Sequence, residues 1–321
     1  MKRRRRQTMA GNYVTLNEAI AEFFREKKAE NISPSTYKTY TLHIKHFLQQ
    51  DDLFEGNLPT KLVTVDFYQD WIEDMQNDEN KKDTTVTSYC RSIRVLLYWM
   101  MDKGYIDDYP LVLPKCENSV KVCYTQDELT TLLKKPDDNC SEVEYQTWVY
   151  INLICATGLR LSSALNLKVK DLVAKDRELY VQHTKNKQGQ LLYLNDEMIK
   201  ILNKYFQQFD LFSEDYMFCT AGKTRLARRT IQDNVATYNR KRGVEKTSIH
   251  LMRHTFAKNY YQKTKDIYSL RMILGHSSVG ITENYLKDLG LTLESAIAYN
   301  PQQIFVEQNQ PPRRRRGRMK K

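Results

Sequence analysis

Apolar residues recur at intervals of three and four through the first hundred positions, the spacing that lays one face of a helix against a core. V-T-L-N-E-A-I-A-E-F-F-R-E-K-K puts Ile20, Phe23 and Phe24 on one side, with Asn17 expected at the N-cap. N-I-S-P-S-T-Y-K-T-Y-T-L-H-I-K-H-F-L opens with a Ser-Pro start signal and sets Tyr37, Tyr40, Ile44, Phe47 and Leu48 at helical spacing. A third helix is predicted over about Val65 to Asn77, around Phe67, Trp71 and Met75, and a fourth over about Thr85 to Lys103, stopped by Gly104. Four helices without a strand signal predict a small helical domain. Its polar faces carry Lys38, Thr41 and Lys45 on the second helix and Arg91 and Arg94 on the fourth. A charged helix face is ordinarily just solvated, but these five are the positions there that suit phosphates.

The stretch G-Y-I-D-D-Y-P-L-V-L-P-K-C-E-N-S-V-K-V-C has two prolines and no period, so the domain boundary is placed near Asn118 to Lys121. Helix then resumes at T-Q-D-E-L-T-T-L-L, where Thr125 and Glu128 form a capping box, and an apolar helix runs from about Glu142 to Ala156, ending at Thr157-Gly158. R-E-L-Y-V-Q-H-T and Q-L-L-Y-L flank the polar turn K-N-K-Q-G and predict a β-hairpin. Helices are expected again over Asp196 to Phe206 and Arg228 to Arg240, and through Ser248 to Lys287. The pattern divides the chain into a basic arm (1–11), a helical domain (12–117), a second domain of helices with a small antiparallel sheet (118–300), and a basic tail (301–321).

Composition sharpens this picture in two places. The formal charge is +11, yet Lys2 with Arg3 to Arg6 supplies five positive charges and the tail from Arg313 supplies seven; the remainder is 38 Lys+Arg against 39 Asp+Glu. The basic excess therefore resides in the two ends, which suit a phosphate backbone, though RNA, an anionic membrane surface or plain solubility fit them too. The six cysteines, Cys90, Cys116, Cys123, Cys140, Cys155 and Cys219, show neither zinc spacing nor a disulfide framework, so a reducing cytoplasm and no metal are expected. The N-terminus has the charge of a signal peptide without an apolar run, and no run approaches a bilayer span, so neither export nor a membrane partner is expected.

The chemistry concentrates at the end of the second domain. S-I-H-L-M-R-H-T-F-A holds His250 and Arg253; L-G-H-S-S-V-G-I-T-E-N-Y-L-K holds His276 and, nine residues on, Tyr285. Two imidazoles, a guanidinium and a phenol suit holding a phosphate and attacking it. Upstream, Arg160 stands between an apolar helix and the next one, where a guanidinium is held rigidly, and Lys185 lies on the hairpin turn. Taken singly each has a structural reading: a capping histidine, a helix end, a core tyrosine, a cation at a helix terminus. Together the arginines supply two forks for non-bridging phosphate oxygens, Tyr285 the nucleophile and His250 an acid/base. His254, directly after Arg253, reads as a packing residue. Arg228 and Arg229 are candidate backbone contacts.

The ordered set A-T-G-L-R at Arg160, T-K-N-K at Lys185, H-L-M-R-H-T-F-A, L-G-H-S-S and N-Y-L-K resembles the catalytic domain of the tyrosine recombinases, the integrase family of phages and conjugative elements. The resemblance implies an α+β catalytic domain behind a helical, SAM-like core-binding domain, mainly α overall. It implies site-specific strand exchange for a mobile element through a 3′-phosphotyrosyl link, with Lys185 protonating the leaving 5′ oxygen, favoured by motif register over the nearby Lys187 and Lys168, and His276 bonding the scissile phosphate. It also implies double-stranded DNA as partner, a homotetramer on paired sites in which the segment Leu291 to Ala298 docks on a neighbour, accessory DNA-bending or directionality proteins, action at the nucleoid, and no cofactor. A non-catalytic DNA-binding protein and a type IB topoisomerase-like enzyme are the competing functions. One departure stands out: the family usually has an acidic residue three positions after the first arginine, and this chain has Ser163, so weaker bracing of the site is expected.

Overall fold

The computed structural model describes residues 14–49, 58–116, 122–182 and 189–291. The basic ends, Lys185 and Lys187, and the segment 292–298 lie outside them. The chain divides into two compact units, Met1–Asn118 and Ser119–Lys321.

The first unit holds α1 (Leu16–Ala29), α2 (Pro34–Leu48), α3 (Val65–Asn77) and α4 (Asp83–Lys103). The long α4 lies against the other three. It buries Val86, Cys90, Ile93, Leu96, Leu97 and Met100, a stripe at steps of three and four. Opposite that stripe stand Phe23, Phe47, Tyr68, Trp71 and Met75, all buried. Phe47 meets Trp71 edge-on with ring centroids 5.0 Å apart. Burial of each such side chain stabilises the unit by roughly 1.5–3 kcal/mol. Gly104 closes α4 in the left-handed region (φ 73°), where a Cβ would be strained. The first helix starts differently from expectation: Thr15, not Asn17, is the N-cap of α1. Its hydroxyl accepts from the Glu18 amide while the Glu18 carboxylate accepts from the Thr15 amide, a reciprocal box that Asn17, already inside the helix, cannot make.

The second unit is built around α6 (Glu142–Thr157), which is buried on nearly every side. Packed on it are α5 (Gln126–Leu133), α8 (Asp196–Gln208), α9 (Arg228–Lys241) and α10 (Ile249–Thr264). Its one fully interior amide, Gln146, donates to the Tyr205 hydroxyl (2.8 Å) and the Cys219 carbonyl (2.9 Å), so its burial is satisfied. A short α7 (Leu161–Leu165) follows α6, and an antiparallel sheet of β1 (Leu172–Val173), β2 (Glu178–Val181) and β3 (Gln190–Tyr193) comes next. Leu179 pairs with Leu192 facing the core, while Tyr180 pairs with Leu191 facing out. The two-residue β1 is too short to leave a periodic signal and was not expected from the sequence. The chain then closes with α11 (Ile267–Leu274) and α12 (Val279–Lys287), which share a small apolar cluster of Ala257, Leu270, Leu274, Leu286, Leu289 and Leu291. Among the described residues no helix is long and apolar enough to cross a membrane, and no group of three His, Cys, Asp or Glu is placed to hold a metal.

Candidate active site

The site begins where α6 stops. Gly158 caps that helix with φ 63°, and a Cβ there would lie 2.4 Å from the Phe256 ring of α10, so both the backbone and the close helix packing demand glycine. The turn delivers Arg160 to the N-cap of α7 in extended backbone, half-buried, with its two terminal nitrogens each 3.5 Å from the Gly275 carbonyl. That distance is long for a hydrogen bond, so the guanidinium is aimed but lightly held, not rigid as its place between two helices predicts.

Arg253, on α10, is held firmly. Only 3% exposed, it donates from Nη1 to the Gly158 carbonyl (2.6 Å) and from Nη2 to the Leu274 carbonyl (2.7 Å). These carbonyls lie at the C-terminal ends of α6 and α11, where the helix dipoles are negative and unpaired acceptors collect. Burial and the neighbouring Arg160 bring its pKa down to about 10, and it stays a cation at neutral pH. Burial also lowers the pKa of Arg160. Neither guanidinium forms an ion pair with a described carboxylate. Two cations whose partners are carbonyls and a neutral imidazole, one of them buried, form a receptor for an anion.

The end of α11 gathers the parts. Gly275 (φ 61°) terminates it, and the amides of Gly275 and His276 cap the carbonyls of Met272 and Arg271. Gln190, the first residue of β3, donates from Nε2 to the carbonyls of Met272 (2.8 Å) and Ile273 (2.5 Å), tying the sheet to the same helix end. His276 follows, its Nε2 3.3 Å from Nη2 of Arg253 and its Nδ1 3.0 Å from the hydroxyl of Thr282, a fully buried residue of α12. Burial, then Arg253 and Arg160, depress the His276 pKa to about 4, so the ring is neutral at pH 7.

Tyr285 projects from α12 one turn beyond Thr282. Its hydroxyl is buried and makes no hydrogen bond of ordinary geometry. Burial pushes its pKa up to about 12, against the pull of Arg253 and Arg160, which lie close enough to favour the phenolate. The ring stacks on His254 at 4.5 Å between centroids with planes 15° apart, and His276 meets it at 5.5 Å and 66°. The His250 ring meets His254 edge-on at 4.7 Å, which places His250, exposed on α10, one ring away from Tyr285.

Arg160, Arg253, His276 and Tyr285 thus converge, with His250 at the rim; Lys185 lies outside the described residues. Of the other lysines near the hairpin, Lys168 is engaged with Glu214 (3.1 Å) and lies 5.7 Å from the centre of the Tyr216 ring. Ser163 is buried in α7. His254, expected to pack, does so on the Tyr285 ring. Sequence reasoning passed over two residues. Thr282 was findable, three positions before Tyr285 on one helix face, and Gln190, in an alternating strand, left no signal at all. Among the candidate DNA contacts, Lys38, Thr41, Lys45 and Arg91 are exposed, while Arg94 is half-buried and donates to the Tyr98 hydroxyl (3.1 Å). Arg228 and Arg229 open α9; Arg229 pairs with Asp233 at 2.9 Å.

The chain is similar to known proteins over most of its length. The family model described as "Phage integrase family" matches residues 123–289, more than half of the chain. Among curated relatives, the tyrosine recombinase XerD of Rickettsia prowazekii is 24% identical over 316 residues, covering 88% of this chain and 97% of the relative. The tyrosine recombinase XerC of Leptospira interrogans is 25% identical over 285 residues, covering 85% and 89%. Of the solved structures, the Tn1549 transposon integrase in complex with transposon right end DNA superposes with a TM-score of 0.70 at 19% identity, covering 88% of this chain and 99% of that one. The XerH site-specific recombinase bound to a palindromic difH substrate gives 0.66 at 20%, covering 85% and 82%. With its arginine pair, histidines and tyrosine on the matched region, the chain belongs to the phage integrase family, the tyrosine recombinases.

Proposed function

We propose that this protein is a site-specific DNA recombinase that cuts and rejoins duplex DNA through Tyr285. One observation carries the assignment of residues: the buried phenol of Tyr285 lies beside two guanidiniums that have no described carboxylate partner. Placed between the arginines, a phosphodiester would have the charge developing on its non-bridging oxygens neutralised by Arg160 and Arg253. The Tyr285 oxygen then attacks phosphorus, the bond from phosphorus to the 5′ oxygen breaks, and a 3′-phosphotyrosine forms. The exchange of one ester for another preserves the bond for rejoining. With a pKa of about 12, the phenol is protonated at neutral pH, so attack needs its proton removed as the bond forms; His250 is assigned that task. Lys185 supplies the proton to the leaving 5′ oxygen, and His276 hydrogen-bonds the phosphate.

Lys38, Thr41, Lys45, Arg91 and Arg94 in the helical unit, with Arg228 and Arg229 in the catalytic unit, are assigned to DNA. The last two stand in the first turn of α9, where the helix dipole disfavours cations, and a phosphate oxygen there would relieve both. Contacts of this kind set register on the duplex more than they read bases. Four protomers on paired sites, strand exchange for a mobile element, accessory DNA-bending or directionality proteins, and a cytoplasmic, nucleoid-associated setting complete the reading.

The test is a suicide substrate nicked beside the cleavage position of a candidate core site. The wild-type chain should accumulate a covalent protein–DNA adduct, and Tyr285→Phe should abolish it while still binding. An adduct that survives in Tyr285→Phe would refute the assignment. Exchange requiring two sites and higher-order assembly, rather than relaxation by single protomers, separates a recombinase from a topoisomerase-like enzyme.

A further inference from the structure

The hydrogen bonds around His276 carry information about its protons. Its Nε2 faces Nη2 of Arg253 at 3.3 Å, and a guanidinium nitrogen has only protons to offer, so Nε2 must be the acceptor. The ring's one remaining proton, in the neutral state, is then on Nδ1, which faces the Thr282 hydroxyl at 3.0 Å. Thr282 is fully buried on α12, so no water competes for that contact. The charged and titratable groups facing the ring are Arg253 from α10, Arg160 from the start of α7 and Tyr285 from α12; none is a carboxylate that would favour the imidazolium.

We infer that Thr282 is a positioning residue: Arg253 fixes His276 as the Nδ1–H tautomer with Nε2 an acceptor in the DNA-free enzyme, and the Thr282 hydroxyl accepts the Nδ1 proton and holds the ring in that pose. A phosphate oxygen only accepts, so in this state His276 has nothing to give it. The ring becomes a donor at Nε2 by taking up one proton from solvent when the phosphate arrives, while Nδ1 keeps its own proton on Thr282. The anion favours that uptake by offsetting the two arginines. The site thus matches itself to a phosphate, one proton being bound along with the DNA.

The structural half of this inference is independent of catalysis, whereas its functional half rests on the assignment of His276 to the scissile phosphate. Histidine-specific 15N labelling and long-range proton–nitrogen correlation read the tautomer directly. Free wild-type enzyme near neutral pH should show a protonated Nδ1 and a bare Nε2 for His276, identified by its loss in His276→Gln. Thr282→Ser should keep the downfield Nδ1–H shift of a hydrogen-bonded proton, and Thr282→Val, which matches the shape without the hydroxyl, should keep the tautomer while that shift moves upfield. In the complex of Tyr285→Phe with uncleaved site DNA, both nitrogens should be protonated. An Nε2–H tautomer or a cation in the free enzyme, an unchanged Nδ1–H shift in Thr282→Val, or a bare Nε2 in the complex would each overturn the inference. In the adduct assay, Thr282→Val should slow cleavage of bound substrate by roughly tenfold, the worth of one net hydrogen bond, with Thr282→Ser near wild type. Unimpaired cleavage by His276→Ala would instead refute the assignment of His276 itself, and a slow His276→Ala beside a normal Thr282→Val would refute only the role of Thr282.

Discussion

The two units treat positive charge in opposite ways. In the helical unit, Lys38, Lys45 and Arg91 stand exposed and the buried polar side chains are His43, Thr60, Thr87 and Ser92; His43 shares a 2.8 Å hydrogen bond with Ser92 between α2 and α4. In the catalytic unit a guanidinium is inside, and its partners are the carbonyls of Gly158 and Leu274 at two helix ends, not carboxylates. A carboxylate would neutralise Arg253 permanently; carbonyls fix its direction and leave its charge available to a phosphate. The first unit keeps Lys38, Lys45 and Arg91 where they cost nothing to fold, and the second accepts the cost of burying Arg253 for a preorganised charge.

Substitution at Arg253 should therefore have the largest effect. Lysine keeps the charge but has one nitrogen, which cannot reach two carbonyls in different directions and a phosphate as well. Arg253→Lys is expected to lower the rate of adduct formation about 10²–10³-fold, the scale for losing an oriented donor to developing oxyanion charge. Affinity for site DNA should change far less. A near-normal rate would mean that the carbonyl cradle is irrelevant and charge alone suffices, which would erase the contrast between the units.

This cradle also marks the limit of what the sequence discloses. Periodicity located the helices because it reports which face of an element is buried; the apolar α6 and the stop at Gly158 were legible for that reason. The motif order pointed to Arg160, Arg253, His276 and Tyr285 because each lies within a short local pattern, A-T-G-L-R, H-L-M-R-H, L-G-H-S-S and N-Y-L-K. No local pattern reports what lies opposite a face. Gln190 reaches the α11 carbonyls across 82 positions of sequence, and the stacking of His254 on Tyr285 depends on how α10 and α12 cross. Thr15 displaced Asn17 at the start of α1 because a cap is decided by reciprocal geometry, for which both residue types qualify by composition.

A subtler contrast concerns pH. In the helical unit His43 stacks on Tyr89 (3.8 Å between centroids) and His46 packs edge-on against Tyr89 and Trp71. Burial lowers both pKa values; His46 lowers that of His43 further, and for His46 Lys81 acts in the same direction while Asp78 opposes it. The unfolded chain then binds more protons than the folded one just below the ordinary histidine value of about 6.5, so the contribution to stability is complete above that value and is lost as pH falls through it. Urea unfolding midpoints should drop on going from about pH 7.5 to about pH 5.5, and the drop should shrink in a His43→Gln, His46→Gln double variant. His276 belongs to the other unit, so resolving the two units' transitions would show whether acid sensitivity follows α2 and α4; an equal drop in the double variant would show that it does not.

The smallest effects on the protein itself, and the cleanest separation of folding from binding, are expected at Lys38, Lys45 and Arg91. Each is exposed and none forms an ion pair with a described carboxylate, so replacement by alanine should shift stability by less than about 0.5 kcal/mol. If these side chains meet phosphates, each loss should weaken site and non-site DNA alike and reduce the slope of log affinity against log salt by roughly one per contact. Titrating the three single variants and the triple variant at several salt concentrations makes the measurement. A triple variant with an unchanged slope would return these lysines and the arginine to the status of a solvated surface. An additive loss of slope with unfolding unchanged would establish that these three charges are held for DNA, as the buried charge of Arg253 is held for a single phosphate.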